Sequence, residues 1–169
     1  MSRTGIIMVV CVLCACVVAV PAMAWQGRVT RVLDGDSLLI RGKDRVHEIR
    51  LYGIDAPEYK QPFGRAARGM ARKLLLRREV EVIGVDVDRY GREVALVYHG
   101  NTLVNRELVR AGAAWLYPRY CRKKELCRAM RADQDQARRE RLGLWAGSNP
   151  LAPWKWKYLN RKKSTWMHP

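Results

Sequence analysis

Three short apolar runs separated by two glycine-containing turns dominate the stretch from Arg28 to Ile54. Asp34-Gly35-Asp36 stands between the first two runs, and Arg41-Gly42-Lys43-Asp44 stands between the second and the third. An Asp-Gly pair between apolar runs is a strong signal for a β-hairpin. The stretch therefore predicts a meander of about three strands.

Further along the chain, the spacing of apolar residues switches from the helical to the strand period and back. In chain order it predicts a helix over Gly64 to Arg78, strands over Glu79 to Val87 and Glu93 to Tyr98, a helix capped by Asn101 or Thr102 and ending at Gly112, and a helix over Leu126 to Arg141. This order lacks regular βαβ alternation, so a small barrel with helices packed on it is favoured over a parallel sheet.

The first 24 residues are typical of a secretory signal peptide. Arg3 precedes an apolar run from Gly5 to Val20, and Ala22-Met23-Ala24 matches an A-x-A cleavage site. The run is shorter than a typical membrane-spanning helix, which favours cleavage over an uncut anchor, and lipidation of Cys16 is a weaker alternative. We therefore expect an exported protein, secreted or periplasmic, that begins at Trp25 after cleavage near Ala24.

Two cysteines remain beyond this segment, Cys121 and Cys127. In an exported protein such an even, closely spaced pair predicts a disulfide, with two free thiols as the alternative. Six residues of continuous helix would rise by about 9 Å, which is too far for a bridge. If the bond forms, Cys121 therefore lies in a loop and Cys127 lies near the start of the next helix.

The charge of the chain points to a polyanionic partner. Lysine and arginine number 32 against 16 aspartate and glutamate residues, giving a formal net charge of +16. A nucleic acid or an anionic membrane surface is the kind of partner that such an excess favours. The three histidines are scattered, so any metal is expected to be a hard cation held mainly by carboxylates.

Beyond Trp145 the composition becomes rich in tryptophan, lysine and proline. We divide the chain into a signal peptide (1–24), a folded domain (25–147) and a basic tail (148–169). The tail is suited to stacking on bases and meeting phosphates, or to contacting an anionic surface. The alternative is that Trp154 and Trp156 cover the domain's own core while the last ten residues are disordered.

Acids and arginines concentrate at the ends of three predicted strands. Asp34-Gly35-Asp36-Ser37, the segment from Arg50 to Glu58, and Asp88-Arg89-Tyr90-Gly91-Arg92 each carry both a turn and charged side chains. Each segment alone is an ordinary turn. Together, carboxylates suited to a hard cation and arginines suited to phosphate favour metal-assisted phosphoryl transfer over glycoside hydrolysis.

These segments resemble the staphylococcal nuclease family over roughly Val29 to Trp145. The matching pieces, in the family's order, are VLDGDSLLI, IRLYGIDAPE, FGRAA, VDRYGR, VNRELVRAGAAWLY and GLW. The resemblance implies an α+β fold that is mainly a five-stranded OB-fold barrel with three packed helices. It also implies a Ca²⁺-dependent phosphodiesterase site.

Carried over residue by residue, the resemblance assigns the roles that follow. Asp36, Asp55 and the backbone carbonyl of Ala56 would be metal ligands, with Asp34 and Ser37 shaping the metal turn; Glu58 would activate water; Arg50 and Arg92 would bind the phosphate; Arg89, Tyr90, Tyr117 and Tyr120 would contact the nucleotide. Ala56 and Ser37 stand where the family often has threonine, and Pro118 stands where the family has one of its nucleotide-binding tyrosines.

The function implied by the resemblance is that of a monomeric, secreted nuclease. It would cleave DNA and RNA, preferably single-stranded or unpaired, at the 5′ P–O bond and leave 3′-phosphate ends. The alternative is a non-catalytic nucleic-acid-binding barrel, but such modules generally lose acids or arginines of the site, and here Asp36, Arg50, Asp55, Glu58 and Arg92 are all present.

Overall fold

The structure, a computed structural model, describes residues 24–166 of the chain, with side chains up to residue 161. The predicted signal peptide therefore lies outside the described residues, apart from Ala24. The strands are β1 (Ala24–Val32), β2 (Ser37–Arg41), β3 (Val46–Leu51), β4 (Ile54–Asp55), β5 (Glu79–Val87), β6 (Glu93–His99), β7 (Thr102–Leu103) and β8 (Trp115–Leu116). The helices are α1 (Gly64–Leu75), α2 (Val104–Arg110), α3 (Lys124–Arg139) and α4 (Pro153–Trp166), with 3₁₀ turns at Pro118–Tyr120 and Gly143–Ala146.

Five strands close into the barrel that the sequence predicts. The antiparallel order is β3-β2-β1-β5-β6, and β3 then pairs with β6 in parallel through Ile49 to Leu51, which joins the two edges of the sheet. Closure removes the free edges that an open sheet would expose to other chains. Register shifts in β1 and in β5 accommodate the bending that closure requires.

Alternating strand residues and the apolar face of α1 form one core. Val32, Leu38, Ile40, Ile49 and Val82 are fully buried inside the barrel. From α1, Ala67, Ala71 and Leu75 are fully buried, as the helical spacing predicts, while Met70 and Leu74 pack at the edge. The core therefore holds α1 across one end of the barrel, next to the segment that carries Asp55 and Glu58.

Two local predictions are wrong. The run from Val46 to Ile54 is not one strand, because Gly53 has a φ of 73° and turns the chain into β4, which pairs with β8. A left-handed conformation of this kind favours glycine. Asn101 and Thr102 do not cap α2: Thr102 pairs with His99 in β7, and Leu103 takes the N-cap position.

The predicted disulfide is present between Cys121 and Cys127. Cys121 follows the 3₁₀ turn, and Cys127 lies in the first turn of α3, as expected. The hydroxyl of Tyr52 accepts hydrogen bonds from the backbone amides of Arg122 and Lys123 within the bridged loop. The loop is thus tied to the segment that leads into β4.

The tail contains a fourth helix, α4, which the sequence did not predict. Its first turn packs on the body of the protein, with Ala152 and Pro153 buried. The boundary at residue 147 and a contact between the tail and an anionic surface stay predictions. Among residues 24–166, no helix is long and apolar enough to cross a membrane.

Candidate active site

Four of the predicted site residues converge at one end of the barrel. Asp36 lies on the β1–β2 turn, Arg50 on β3, Asp55 at the end of β4 and Glu58 just beyond it. Antiparallel pairing places Ser37 opposite Arg50, which brings the turn and the arginine together. Consecutive segments of the chain, from the β1–β2 turn to the residues after β4, therefore supply a single cluster of charge.

The carboxylate of Asp36 is buried and held by local hydrogen bonds. Asp34 accepts a hydrogen bond from the Asp36 amide at 3.0 Å, and the Ser37 hydroxyl donates to Asp36 Oδ1 at 3.2 Å. The backbone amide of Ala56 donates to Oδ2 of Asp36, which fastens the turn to the segment after β4. Asp34 and Ser37 thus shape the turn, as the resemblance implies.

Arg50 bridges the two buried aspartates. Its Nη1 lies 3.1 Å from Asp36 Oδ2, and its Nη2 lies 2.8 Å from Asp55 Oδ1. Only 14% of the Arg50 side chain is exposed. Although burial lowers the pKa of this guanidinium, the carboxylates of Asp36 and Asp55 outweigh it and raise the pKa, so Arg50 is charged at every relevant pH.

Burial raises the pKa of both aspartates, most strongly that of Asp36, and the positive charge of Arg50 opposes this shift without cancelling it. Desolvation disfavours the charged form of a buried carboxyl group. A bound cation would reverse that shift, because it stabilises the ionised form.

The donor set fits a hard divalent cation. The Oδ2 atom of Asp55 is buried and has no hydrogen-bond partner among the described residues, and such orphaned acceptors are rare in folded proteins. Carboxylate and carbonyl oxygens are the ligands that Ca²⁺ prefers. Within residues 24–166, no group of three or more histidine, cysteine, aspartate or glutamate side chains is arranged to hold a metal. Two carboxylates, the Ala56 carbonyl and water would therefore make up the coordination.

Glu58 lies at the mouth of the site. Its side chain is 40% exposed, and its backbone is fixed by exchanging hydrogen bonds with Gln61. The start of α1 packs closely here, because a Cβ atom on Gly64 would lie 1.8 Å from the Glu58 carbonyl oxygen. Only glycine fits at this position, which explains why α1 begins with one.

Arg92 does not join the carboxylate cluster. Its guanidinium forms an ion pair with Asp88 in the same turn, at 2.7 Å, while its Nη1 lies 3.8 Å from Glu48. Hydrogen bonds from Arg92 lower the pKa of Asp88 against the opposing effect of burial, which keeps this pair ionised. Of the two predicted phosphate ligands, Arg50 is therefore the one that contacts Asp36 and Asp55.

The predicted nucleotide contacts form two groups. Tyr90 is 69% exposed, with the guanidinium groups of Arg89 and Arg92 over its ring at 4.9 and 5.6 Å. Tyr117 contacts Tyr120, at a ring-centroid distance of 4.8 Å. These contacts place Tyr90 beside two cations and Tyr117 beside a second tyrosine.

Sequence reasoning missed one member of the site, Lys157 of α4. Its ammonium nitrogen lies 3.1 Å from Asp55 Oδ1 and 2.9 Å from Glu58 Oε1. Burial lowers its pKa, but the carboxylates of Asp55 and Glu58 outweigh this effect and raise it. The abundance of lysine in the tail was visible in the sequence, but nothing in the sequence distinguished Lys157 from the neighbouring lysines.

A shallow groove of about 700 Å³ runs beside Glu58, between the β4–α1 loop and α4. Its lining combines aromatic and cationic side chains with no carboxylate: Tyr59, Lys60, Gln61, Pro62, Phe63, Arg65, Ala66 and Trp156. Tyr59 and Lys60 directly follow Glu58, and Trp156 directly precedes Lys157. The groove is therefore lined by residues that neighbour Glu58 and Lys157 in the chain.

Comparisons with known proteins find relatives over most of the chain. Residues 48–147 match the family described as Staphylococcal nuclease homologue. The chain is 40% identical over 134 residues to an uncharacterized endonuclease of Escherichia coli O157:H7, covering 79% of this chain and 85% of that protein. It is 39% identical over 155 residues to a micrococcal nuclease of Shigella flexneri (86% and 88% covered) and 37% identical over 151 residues to protein ParB of Escherichia coli (83% and 84%).

Proposed function

The chain belongs to the staphylococcal nuclease family, and we propose that it is an exported, monomeric, calcium-dependent nuclease that hydrolyses the phosphodiester bonds of DNA and RNA. The observation that carries this proposal is the convergence of Asp36, Arg50, Asp55 and Glu58 at one end of the barrel. Paired carboxylates, an arginine and a partly exposed glutamate at the rim are the groups that hydrolysis of a phosphodiester requires.

In the proposed reaction Glu58 is the general base. Its carboxylate takes a proton from water, the water oxygen bonds to phosphorus, and the bond from phosphorus to the 5′ oxygen breaks. The leaving oxygen is protonated by solvent, so the products are a 3′-phosphate and a 5′-hydroxyl. Because its side chain is 40% exposed, Glu58 is accessible to both water and substrate.

Arg50 is the proposed ligand of the phosphate oxygens, where negative charge builds in the transition state. Arg92 would also bind the phosphate, through its Nη1 atom. This atom lies 3.8 Å from Glu48, which is beyond hydrogen-bond distance, so Glu48 does not compete with a phosphate oxygen for it. Asp36, Asp55 and the Ala56 carbonyl would hold a divalent cation, which when bound would neutralise the charge of the phosphate. Ca²⁺ is the family's ion, although carboxylate ligands alone would also accept Mn²⁺.

Single-stranded or unpaired nucleic acid is the proposed substrate. The groove beside Glu58 offers the rings of Tyr59, Phe63 and Trp156 together with the cations of Lys60 and Arg65. Rings that stack on bases beside cations that meet phosphates are typical of single-strand binding. The net charge of +16 supports affinity that is independent of base sequence and falls steeply with salt.

The first test is digestion of single-stranded DNA by the purified protein, with Ca²⁺ and with a chelator, followed by mapping of the product ends. We expect calcium-dependent cleavage that leaves phosphatase-sensitive 3′ ends. Salt-sensitive binding without cleavage under any divalent cation would contradict the proposal and favour a non-catalytic binding barrel. Parallel reactions on RNA and on duplex DNA measure the substrate preference.

The role of Glu58 is tested by Glu58→Gln, which keeps the shape of the side chain but removes its basicity. We expect kcat to fall by about 10²-fold or more, with the free energy of unfolding changed by less than about 0.5 kcal/mol. The matched control is Glu81→Gln, an exposed change on β5 that is expected to leave the rate unaltered. Full activity of the Glu58 variant would show that another group activates the water.

Export is proposed from the leader alone. Expression of the full-length chain in a bacterium, followed by mass spectrometry of the extracellular and periplasmic fractions, is expected to find a protein that begins at Trp25. A chain that keeps residues 1–24 and sediments with the membrane would contradict cleavage near Ala24.

A further inference from the structure

The start of α4 is fastened to the body of the protein. Ala152 is 4% exposed, and Pro153 beside it is also buried. The side-chain amide of Gln61, in the loop after Glu58, donates a 2.6 Å hydrogen bond to the carbonyl of Leu151. The helix therefore begins at a fixed point, on the same loop that carries Glu58.

Aromatic packing then fixes the orientation of the helix. The ring of Trp154 stacks on Tyr117, with centroids 4.8 Å apart and planes inclined by 3°, and it meets the edge of Trp115 at 5.7 Å. Trp115 belongs to β8, which pairs with the strand that carries Asp55. Residues three apart lie on the same face of a helix, so the packing of Trp154 directs Lys157 toward Asp55 and Glu58.

The contact of Lys157 with Asp55 leaves the other oxygen of that carboxylate open. Oδ1 of Asp55 receives both Arg50 Nη2, at 2.8 Å, and Lys157 Nζ, at 3.1 Å. The buried Oδ2 has no partner among the described residues. Since the two side-chain cations share one oxygen, Lys157 does not occupy the atom that a divalent cation would use.

The contact with Glu58 restrains a side chain that is otherwise free to move. Glu58 is part of a surface turn, and its carboxylate has a single ion-pair partner among the described residues, Lys157 at 2.9 Å from Oε1. A partly exposed glutamate samples several rotamers unless something holds it. The ammonium holds Oε1 and leaves Oε2 without a protein hydrogen bond within residues 24–161.

We propose that Lys157 is a positioning residue of the active site, which makes α4 part of the catalytic unit. It holds Glu58 in the orientation that accepts a proton from water. Its positive charge also lowers the affinity of the nearby carboxylates for a divalent cation. This inference rests on the proposed nuclease function. It assigns a role in the reaction to a segment that lies beyond the region 48–147 matched to the family.

The test compares Lys157→Met, Lys157→Arg and the control Lys155→Met in steady-state cleavage of single-stranded DNA. Lys155 is exposed, and its position on α4 two residues from Lys157 places it on a different side of the helix, so the control removes the same charge from the same helix. We expect Lys157→Met to lower kcat by about tenfold or more with little change in KM, since losing a group that orients a reacting residue has an effect of that size. Lys157→Arg keeps the charge and should lose less, while Lys155→Met should match the wild type.

A second readout, Ca²⁺ binding by calorimetry with no nucleic acid present, does not depend on turnover. Lys157→Met removes a positive charge near the metal ligands, so Ca²⁺ should bind about tenfold more tightly, whereas Lys155→Met should leave the affinity unchanged. Thermal unfolding of each variant verifies that it is folded.

The two readouts separate failure of this inference from failure of the proposed function. If the wild type cleaves DNA and Lys157→Met is equally or more active, then Lys157 does not position Glu58. If Ca²⁺ affinity is the same in both proteins, the ammonium does not act on the metal ligands. A wild-type protein that binds Ca²⁺ but never cleaves would refute the nuclease function instead.

Discussion

Replacing Asn105 with alanine should destabilise the fold far more than an average asparagine substitution. Asn105 lies in α2 and is completely buried. Its carboxamide oxygen accepts a hydrogen bond from the Val97 amide at 3.0 Å, and its nitrogen donates to the carbonyls of Tyr52, at 3.0 Å, and Ala95, at 3.1 Å. One side chain therefore ties α2 to β6 and to the segment leading into the active site.

The cost follows from what the alanine variant leaves unpaired. The Ala95 carbonyl keeps a second donor, the Tyr52 amide at 2.9 Å, but the Val97 amide and the Tyr52 carbonyl lose the partner that Asn105 gave them. A buried backbone group without a partner costs about 1–3 kcal/mol. Two such groups and the small cavity give an expected loss of about 3–4 kcal/mol in the free energy of unfolding.

Urea denaturation followed by tryptophan fluorescence measures this loss as a lower midpoint at unchanged slope. The control is Asn101→Ala, an exposed change in the β6–β7 turn that should cost less than about 0.5 kcal/mol. A loss below about 1 kcal/mol for Asn105→Ala would refute the reasoning. It would mean that water or a shift of the backbone satisfies the two groups.

Two other contacts give predictions of their own. Changing both Cys121 and Cys127 to serine should lower the free energy of unfolding by about 2 kcal/mol, because the bridge closes a short loop. In the same urea titration, a reductant should destabilise the wild type by the same amount and leave the double variant unaffected. Asp88→Asn should lose the ion pair with Arg92. Because the pKa of Asp88 is lowered in the folded state, its contribution is present at neutral pH and is lost as the pH falls through the folded-state pKa. Wild type and variant should therefore differ in urea midpoint at pH 7, and the difference should shrink as the solution is made more acidic than the ordinary carboxyl range.

Periodicity was sufficient to predict the barrel strands and the buried face of α1. The alternation of more and less buried residues from Glu48 to Leu51 of β3, and the helical spacing of Ala67, Ala71 and Leu75, each repeat with the period of the element. The disulfide was predictable for a different reason, because an even, closely spaced pair of cysteines in a chain expected to be exported favours a bond.

The points at which β3 ends and α2 begins were not predictable, since they depend on contacts with other segments of the chain. The turn at Gly53 separates β3 from β4, whose two residues pair with β8 about sixty positions along the chain. The segment before α2 pairs with β6 instead of capping the helix. Alternation of apolar residues describes which face is buried, but it does not show where a strand exchanges one partner for another.

The acidic and basic residues of the site were predictable as a set, whereas their pairing was not. The sequence placed Arg50 and Arg92 together as phosphate ligands, but Arg92 pairs with Asp88, and the second cation at Asp55 is Lys157, 102 residues away. Tail composition suggested contacts with external polyanions. Once α4 is fixed by Trp154, however, the nearest anions for Lys157 are the carboxylates of the protein itself.

The balance of charge in the cluster explains how two buried and two partly buried acids are tolerated together and why a divalent ion suits them. Asp34, Asp36, Asp55 and Glu58 bring four negative charges, against which Arg50 and Lys157 set two positive ones. Burying unpaired charge is costly, so a cluster left with two excess negative charges gains most from an ion that carries two positive ones. A cluster without Lys157 would hold a divalent ion more tightly, but it would leave Glu58 without its partner. In the proposed site, α4 would lower the affinity for the metal while holding Glu58, the proposed general base, in place.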